Sequence, residues 1–242
     1  MNKDISLSAQ IHSEPHISNH TAKLNWLRAS VLGANDGIVS IAGLVVGVAS
    51  ATNSPQVIVT AGMAGIIAGA ISMAVGEYVS VSSSRDTERA LLEEERKALL
   101  ESPEQELQEL ASIYEHKGLS RETAMVVAKE LSDKDAFAAH VDAELGIDPD
   151  NLTNPWHAAF ASSAAFLSGA LIPLVAVLLP PSEMKVPVTF VSVLIALVIT
   201  GTLSAKVSGA NPVKATIRIV SGGALAMIIT YGVGQWFGVA GV

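Results

Sequence analysis

Cysteine is absent from this chain of 242 residues, so neither disulfide bonds nor thiolate metal sites can form. Charged residues are also scarce, at 16%, while half of the chain is apolar. This combination is unlike that of an ordinary soluble domain and is typical of a protein that lies in a membrane. Any metal site must therefore use carboxylate, imidazole, thioether, hydroxyl or carbonyl ligands.

The few charges are concentrated in one internal segment. Between Arg85 and Gly146 there are sixteen acidic and eight basic residues, whereas the rest of the chain carries seven of each. The net charge of −8 therefore belongs to this segment alone. The chain reads as apolar, then acidic, then apolar, which predicts two membrane parts that flank an acidic domain.

Five apolar segments are long enough to cross a bilayer, since a spanning helix needs about 20 apolar residues. They cover approximately residues 27–50, 56–82, 155–180, 186–207 and 213–237. The predicted fold class is all-α: a five-helix transmembrane bundle with a cytosolic acidic helical insert between helices 2 and 3. We divide the chain into a polar cytosolic tail (1–26), helices 1–2 (27–84), the insert (85–150) and helices 3–5 (151–242). The tail does not have the pattern of a cleavable signal peptide.

Basic residues beside the spans predict the orientation, because loops rich in Lys and Arg stay on the cytosolic side. One assignment satisfies all five spans: the N-terminus and the insert lie in the cytosol, and the C-terminus lies outside. The basic residues that indicate it are Lys3, Lys23, Arg28, Arg85, Arg89, Lys206 and Lys214.

Small residues four positions apart predict close helix packing within this bundle. The pairs are Gly33/Gly37, Gly43/Gly47 and Gly65/Gly69.

Two carboxylates interrupt the first two apolar segments. Asp36 is the only charged residue between Ala29 and Gly76, and Glu77 follows directly. A charge at bilayer depth costs roughly 2.5–3.5 kcal/mol on insertion scales, so such residues usually face a partner, a cavity or an ion path. Each acid lies roughly 12 Å from its flanking arginine along the helix, which allows both to share one level of the membrane.

Met73 precedes Glu77 by four residues and so lies on the same helical face. Two carboxylates and a thioether suit a borderline divalent ion such as Fe²⁺ or Mn²⁺. The alternatives stay open at this point: Met73 as core filler, and Glu77 as an interfacial side chain or a helix–helix hydrogen bond.

The acidic insert is predicted to consist of short helices, of which the first continues the second span. Capping patterns predict where the helices begin, and glycines where they end. The residues that mark these boundaries are Ser102, Pro103, Gln105, Gly118, Ser120, Leu131, Asp133 and Gly146.

Helical spacing brings several ligand-type residues of the insert onto shared faces. Glu106 and Glu109 are three apart, and His140 and Glu144 are four apart. They could collect divalent cations, but from spacing alone a solvated acidic face is favoured. The N-terminal histidines, which Pro15 keeps out of one continuous helix, are interpreted as tail residues; they are His12, His16 and His20.

Two segments resemble a known family. Residues 27–40, LRASVLGANDGIVS, closely resemble the first-helix signature of the vacuolar iron transporter family, which includes yeast and nodulin-like relatives. Residues 68–80, AGAISMAVGEYVS, resemble its second-helix signature. Five spans with an insert after the second also match, so the resemblance extends from Leu27 to Phe237.

The resemblance implies export of Fe²⁺, often Mn²⁺, from the cytosol in exchange for protons, by dimers whose ion path lies at the subunit interface. It matches Asp36 and Met73 to in-membrane transport residues. The plant-type pattern has a further glutamate where this chain has Gly65, and a glycine where this chain has Glu77.

The insert resembles the metal-binding domain of the family, which favours metal binding over a solvated acidic face. Ala98 stands where the pattern has a further glutamate, and His140 stands where it has a methionine, although imidazole is also a competent ligand. The residues matched to carboxylate ligands are Glu95, Glu106, Glu109 and Glu144.

We therefore expect a proton-coupled exporter of Fe²⁺ and/or Mn²⁺, with no permanently bound cofactor. The expected partners are divalent ions, the bilayer and a second copy of the chain, with no nucleic acid. The expected location is a prokaryotic inner membrane, or a vacuolar membrane in a eukaryote. The alternative is a membrane-anchored metal sensor or storage protein without transport. An enzyme is not expected, because no nucleophile–base pair, phosphate-binding loop or cofactor motif is present.

Overall fold

The computed structural model describes residues 17–239, and this part of the chain folds into helices without a β-strand. The all-α prediction is therefore confirmed. A π-helical turn, Val141–Leu145, and a 3₁₀ turn, Ser182–Met184, accompany the α-helices. The α-helices are α1 (Ile17–Ala51), α2 (Pro55–Glu101), α3 (Pro103–His116), α4 (Arg121–His140), α5 (Pro155–Leu178), α6 (Lys185–Ser208) and α7 (Pro212–Val239).

Five of these helices are long and apolar enough to cross a membrane: α1 from Ala29 onward, α2, α5, α6 and α7. This agrees with the five predicted spans. Helix α1 begins ten residues before the predicted span, at Ile17. His12 and His16 lie outside the described residues, and of His20 only the backbone, within α1, is described.

Helix α1 is the centre of the bundle because apolar residues cover two of its faces. Ile41 and Val45 pack with α2 and α5 in one buried cluster. Ile38, Ala42 and Val46 pack with α6 and α7 in a second cluster. A helix that is apolar on more than one side has to be buried among neighbours, which explains why α1 contacts all four other spans.

The predicted glycine pairs lie at helix contacts. A Cβ atom on Gly33 would stand 2.5 Å from the Ser162 carbonyl oxygen of α5, and one on Gly37 would clash with the Phe166 carbonyl oxygen. On α5, Gly169 makes the reciprocal approach to the backbone of α1. The other two pairs also lie at helix contacts: Gly43 and Gly47 face Thr230, Gly65 faces Leu44 and Ile41, and Gly69 faces the Phe166 ring.

Helix α2 joins the bundle to the acidic insert without interruption. Its 47 residues extend about 70 Å, more than twice the roughly 30 Å of a hydrocarbon core. Buried positions recur along it at helical spacing, first in the apolar part and again near the end. They are Ile58, Gly62, Ile66, Ala70, Leu92 and Glu95.

The insert has a small core of its own between α3 and α4. Leu110 and Ala111 of α3 pack against Ala128 of α4 and exclude water there. Ser120 begins α4 as predicted, with its hydroxyl accepting the Thr123 N–H at 3.3 Å. Gly146 ends the π-helical turn with φ +61°, a conformation that glycine adopts without strain.

Two details of the predicted insert differ from the structure. Helix α3 begins after Ser102 with Pro103 in its first turn, as predicted, but the capping box is not formed: the Ser102 side chain makes no capping hydrogen bond, and its backbone N–H donates to the Ala98 carbonyl at 2.8 Å. The break predicted between Leu131 and Asp133 lies at Asp135 instead. There the backbone is extended, and the carboxylate accepts the Ala138 N–H at 2.9 Å, which starts a new helical segment.

The α1–α5 contact generates a stability prediction. Gly37→Ala should destabilise the protein by about 1–3 kcal/mol, because the new methyl group meets backbone atoms that cannot move away easily. Gly222→Ala on α7 is the matched control, since nothing lies within 4 Å of its added Cβ. It should be neutral, or stabilising by up to about 1 kcal/mol. Thermal unfolding of both variants in detergent tests this, and equal midpoints would contradict it.

Candidate metal centre

The insert brings a glutamate and a histidine together away from solvent. Glu95 near the end of α2 is 7% exposed, and His140 at the end of α4 is fully buried. The Nδ1 atom of His140 lies 3.0 Å from Oε1 of Glu95. Packing of α3 and α4 beside α2 creates this contact, because 45 residues separate the two side chains along the sequence.

Two further carboxylates lie around the same imidazole. Oε2 of Glu106, on α3, is 3.8 Å from His140 Nδ1, and Oε2 of Glu144 is 3.9 Å from it. The π-helical turn carries Glu144 one turn beyond His140, as the predicted shared face requires. Ligand atoms of Glu95, His140 and Glu144 all lie within 4.8 Å of one another.

Several of these polar atoms have no hydrogen-bond partner. Oε1 of Glu95 and both ring nitrogens of His140 are buried and have no hydrogen-bond partner within the described part of the chain, although His140 Nδ1 lies within ion-pair distance of the carboxylates. The 3.0 Å approach therefore lacks the alignment of a hydrogen bond. Buried polar atoms are nearly always satisfied in folded proteins, so unpaired donors and acceptors that converge need an explanation. A divalent cation between them would satisfy the carboxylate and one ring nitrogen together.

The carboxylates of this centre repel one another. Glu95 lies beyond the apolar part of α2, and burial raises the pKa of its carboxyl group. His140 opposes this rise, and the neighbouring carboxylates add to it. Burial also raises the pKa of Glu144, with the Glu109 carboxylate as the next largest cause. Glu109 is itself exposed, so its negative charge acts from the solvent-facing edge of the centre. A cation bound here would relieve both the burial cost and the repulsion.

The resemblance implies two differences from the family pattern at the centre itself. Ala98 lies one turn after Glu95 on α2 and supplies no ligand at the position where the resemblance implies a glutamate. His140 stands where it implies a methionine, and it is fully buried. Carboxylates with one imidazole suit Mn²⁺ and Fe²⁺, whereas carboxylates alone would suit Ca²⁺ or Mg²⁺.

The in-membrane residues are arranged differently from those of the insert. Glu77 follows Ile66, Ala70 and Met73 on one face of α2, and Met73 packs against the cluster that α1, α2 and α5 share. Asp36 lies on an exposed stripe of α1 together with Leu32 and Ser40.

Neither acid of the spans belongs to a larger ligand cluster. Among the described residues, the carboxylates of Asp36 and Glu77 make no hydrogen bond or ion pair. The convergent group found in this part of the chain is that of Glu95, His140 and Glu144. One copy of the chain therefore gathers the ligands of the insert but not those predicted in the membrane.

Two buried polar groups, one on α1 and one on α5, were missed by the sequence analysis. Oδ1 of Asn35 and the Ser162 hydroxyl are buried without a hydrogen-bond partner among the described residues. A signal for Asn35 exists, since it is an amide beside Asp36 in an otherwise apolar span. Ser162 carries no such signal, because serine is common in membrane helices.

The sequence matches one protein family over most of its length. A family model described as the VIT family covers residues 27–235. The chain belongs to the VIT family. Members of this family are transporters and not enzymes. Together with the five apolar helices, this makes the protein an integral membrane protein.

Relatives of this VIT family member come from an amoeba and from plants. The protein named "Vacuolar iron transporter" of Acanthamoeba castellanii is 45% identical over 96% of this chain and 86% of its own. "Vacuolar iron transporter homolog 1" of Oryza sativa is 34% identical, over 93% of this chain and 79% of its own. "Vacuolar iron transporter homolog 2.1" of Arabidopsis thaliana is 33% identical, over 92% and 86%.

The geometry of the insert generates a binding prediction. Glu95→Gln should weaken Mn²⁺ binding by about tenfold or more, because it removes the charge of the central ligand next to His140. Glu94→Gln is the matched control: it makes the same change on the neighbouring, exposed residue of α2. Calorimetric titration of the full chain in detergent measures both. Equal loss in the two variants would show that only general negative charge attracts the ion.

Proposed function

We propose that this protein is a proton-coupled exporter that moves Fe²⁺ and/or Mn²⁺ from the cytosol across the membrane. The observation that carries the proposal is the convergence of Glu95, His140 and Glu144 at the end of the same helix that carries Glu77 in its apolar part. Helix α2 thus connects a candidate ion-collecting centre to an acid in the apolar part of the same helix. Membership in a family of transporters supports this reading.

The insert would act first, by collecting metal from the cytosol. Glu95, Glu106 and Glu144 surround a buried imidazole, with Glu109 nearby, and would hold a cation as substrate rather than as a resident cofactor. The orientation follows from the basic residues beside the spans, which favour a cytosolic insert and N-terminus. The membrane would be a prokaryotic inner membrane, or a vacuolar membrane in a eukaryotic cell.

Asp36 and Glu77 would then carry the ion through the membrane. An ionised carboxylate attracts a divalent cation, and protonation from the far side releases it, which couples metal movement to protons. Met73 would add a soft ligand on the same face as Glu77 and so favour Fe²⁺ or Mn²⁺ over harder ions.

A second copy of the chain would complete the membrane site. Asp36 lies on an exposed stripe of one copy, and a carboxylate that faces lipid is costly. The apolar part of α2 is also poorly covered, with 17% of its most apolar stretch buried. A homodimer that joins these faces would enclose Asp36 and bring it to further ligands.

A membrane-anchored metal sensor or storage protein is the competing function. It would use the same insert and bind the same ions, but nothing would cross the membrane. Binding data cannot separate the two, so transport itself has to be measured.

Proteoliposomes with a pH gradient provide the test. The wild-type protein should take up Mn²⁺ and Fe²⁺ and move protons in the opposite direction, as recorded with metal- and pH-sensitive dyes. Asp36→Asn should reduce both fluxes by at least about tenfold, since it removes the ionisable group. Asp86→Asn, which changes an exposed carboxylate beyond the apolar part of α2, is the control and should retain flux.

The outcomes separate the alternatives. Metal binding without flux in the wild-type protein would favour the sensor or storage function. Metal flux that is independent of the pH gradient would retain transport and remove proton coupling. Unchanged flux in Asp36→Asn would exclude Asp36 from the ion path.

A further inference from the structure

A cavity of about 480 Å³ lies beside the insert, between α2 and the segment that leads into α5. One wall consists of arginine side chains at helical spacing on α2, Arg85, Arg89 and Arg96. The opposite wall includes Asp150 and Leu152. None of these residues belongs to the candidate metal centre, and the transport mechanism proposed above does not use them.

The arginines of this cavity are not held in ion pairs by the described part of the protein. Within the described residues, none of the three forms an ion pair, although Arg96 stacks over the Phe137 ring at 4.6 Å. Nε of Arg85 is buried without a hydrogen-bond partner. A buried guanidinium N–H that lacks an acceptor is costly, so an anionic acceptor at this position is favoured.

The charge of the cavity wall also favours an anion. Two carboxylates, Glu93 and Asp150, line it beside the three arginines, so the wall keeps an excess of one positive charge. A cavity wall with an excess of positive charge is unusual within an insert whose net charge is −8. Paired guanidinium groups match the oxygens of phosphate, because each can donate two parallel hydrogen bonds.

The position of the cavity along α2 indicates where such a phosphate would come from. Arg85 directly follows the apolar part of the helix, and Tyr78, two turns earlier, contacts Trp156 with ring centroids 4.7 Å apart. Aromatic pairs of this kind are typical of the interface between lipid and water. Arg85 lies about 10 Å beyond Tyr78 along the axis, on the side of the insert, where a long arginine side chain can extend back to phospholipid headgroups.

We propose that this cavity binds the phosphate group of an anionic phospholipid, with Arg85 and Arg89 as the principal ligands. Arg96 lies about 10 Å further along α2 than Arg89, so it would contact only a larger headgroup. A lipid held here would contact both α2 and the segment before α5. It would therefore link the insert to the membrane surface at the point where α2 leaves the bilayer.

The experiment uses the full chain in a zwitterionic detergent. Dioctanoyl phosphatidic acid, dioctanoyl phosphatidylcholine and inorganic phosphate are titrated separately, and binding is followed by ³¹P NMR. Phosphatidic acid should bind, and phosphatidylcholine should bind much more weakly. Arg85→Gln and Arg89→Gln should each weaken phosphatidic acid binding by about tenfold, the loss expected for one charge-assisted contact.

Lys97→Gln is the matched control, because it removes one positive charge from an exposed position of α2 outside the cavity. Retained Mn²⁺ binding in each variant shows that the insert is folded. Arg89 is exposed, so its substitution tests the site even if the half-buried Arg85 is needed for folding.

Each outcome decides the proposal. A loss confined to the two arginine variants, with no competition by inorganic phosphate, supports a lipid site. Equally strong competition by inorganic phosphate supports a phosphate site but overturns its assignment to lipid. Equal affinity of wild type, Arg85→Gln and Arg89→Gln, or an equal loss in Lys97→Gln, overturns the site itself.

Discussion

The contact between Glu95 and His140 determines how the acidic insert is placed on the membrane part of the protein. A carboxylate and an imidazole that are both buried are unfavourable unless something compensates their lost hydration. Here the nearby carboxylates of Glu106 and Glu144 make the pocket more negative still. The position of α4 against α2 is therefore favoured by an attractive charge in this pocket, which a bound cation can supply.

Helix α2 extends the consequences of this contact into the bundle. Its buried residues lie in two groups, from Ile58 to Ala70 and again at Leu92 and Glu95, and no proline interrupts the helix after Pro55. A displacement of the insert that accompanied cation binding would reach the bundle through this one continuous helix. The close packing of α1 on α5 at Gly37 and Gly169 leaves the opposite side of the bundle little freedom to follow.

Substitutions relative to the family pattern are compensated by their surroundings to different degrees. Gly65 stands where a glutamate is expected, and its position against Leu44 leaves no room for a longer side chain without repacking. The acid at Glu77 lies three turns further along the same helix, towards Arg85. His140 differs from Gly65, because it still offers a ligand atom. Where the resemblance implies a methionine in the centre of the ligand group, the imidazole has a nitrogen that can bind a metal ion.

The sequence by itself determined the five spans and the insert, because the length of an apolar run decides whether it crosses a bilayer. It also determined local boundaries such as Ser120 and Gly146, where one side chain or one backbone conformation is enough. Only the tertiary structure decided that His140 is buried against Glu95, and that the segment break falls at Asp135. Those outcomes depend on residues far apart in the chain, whose distances no local pattern contains. Asp36 is the clearest example, since its depth follows from the sequence but its exposure follows from which helices pack around α1.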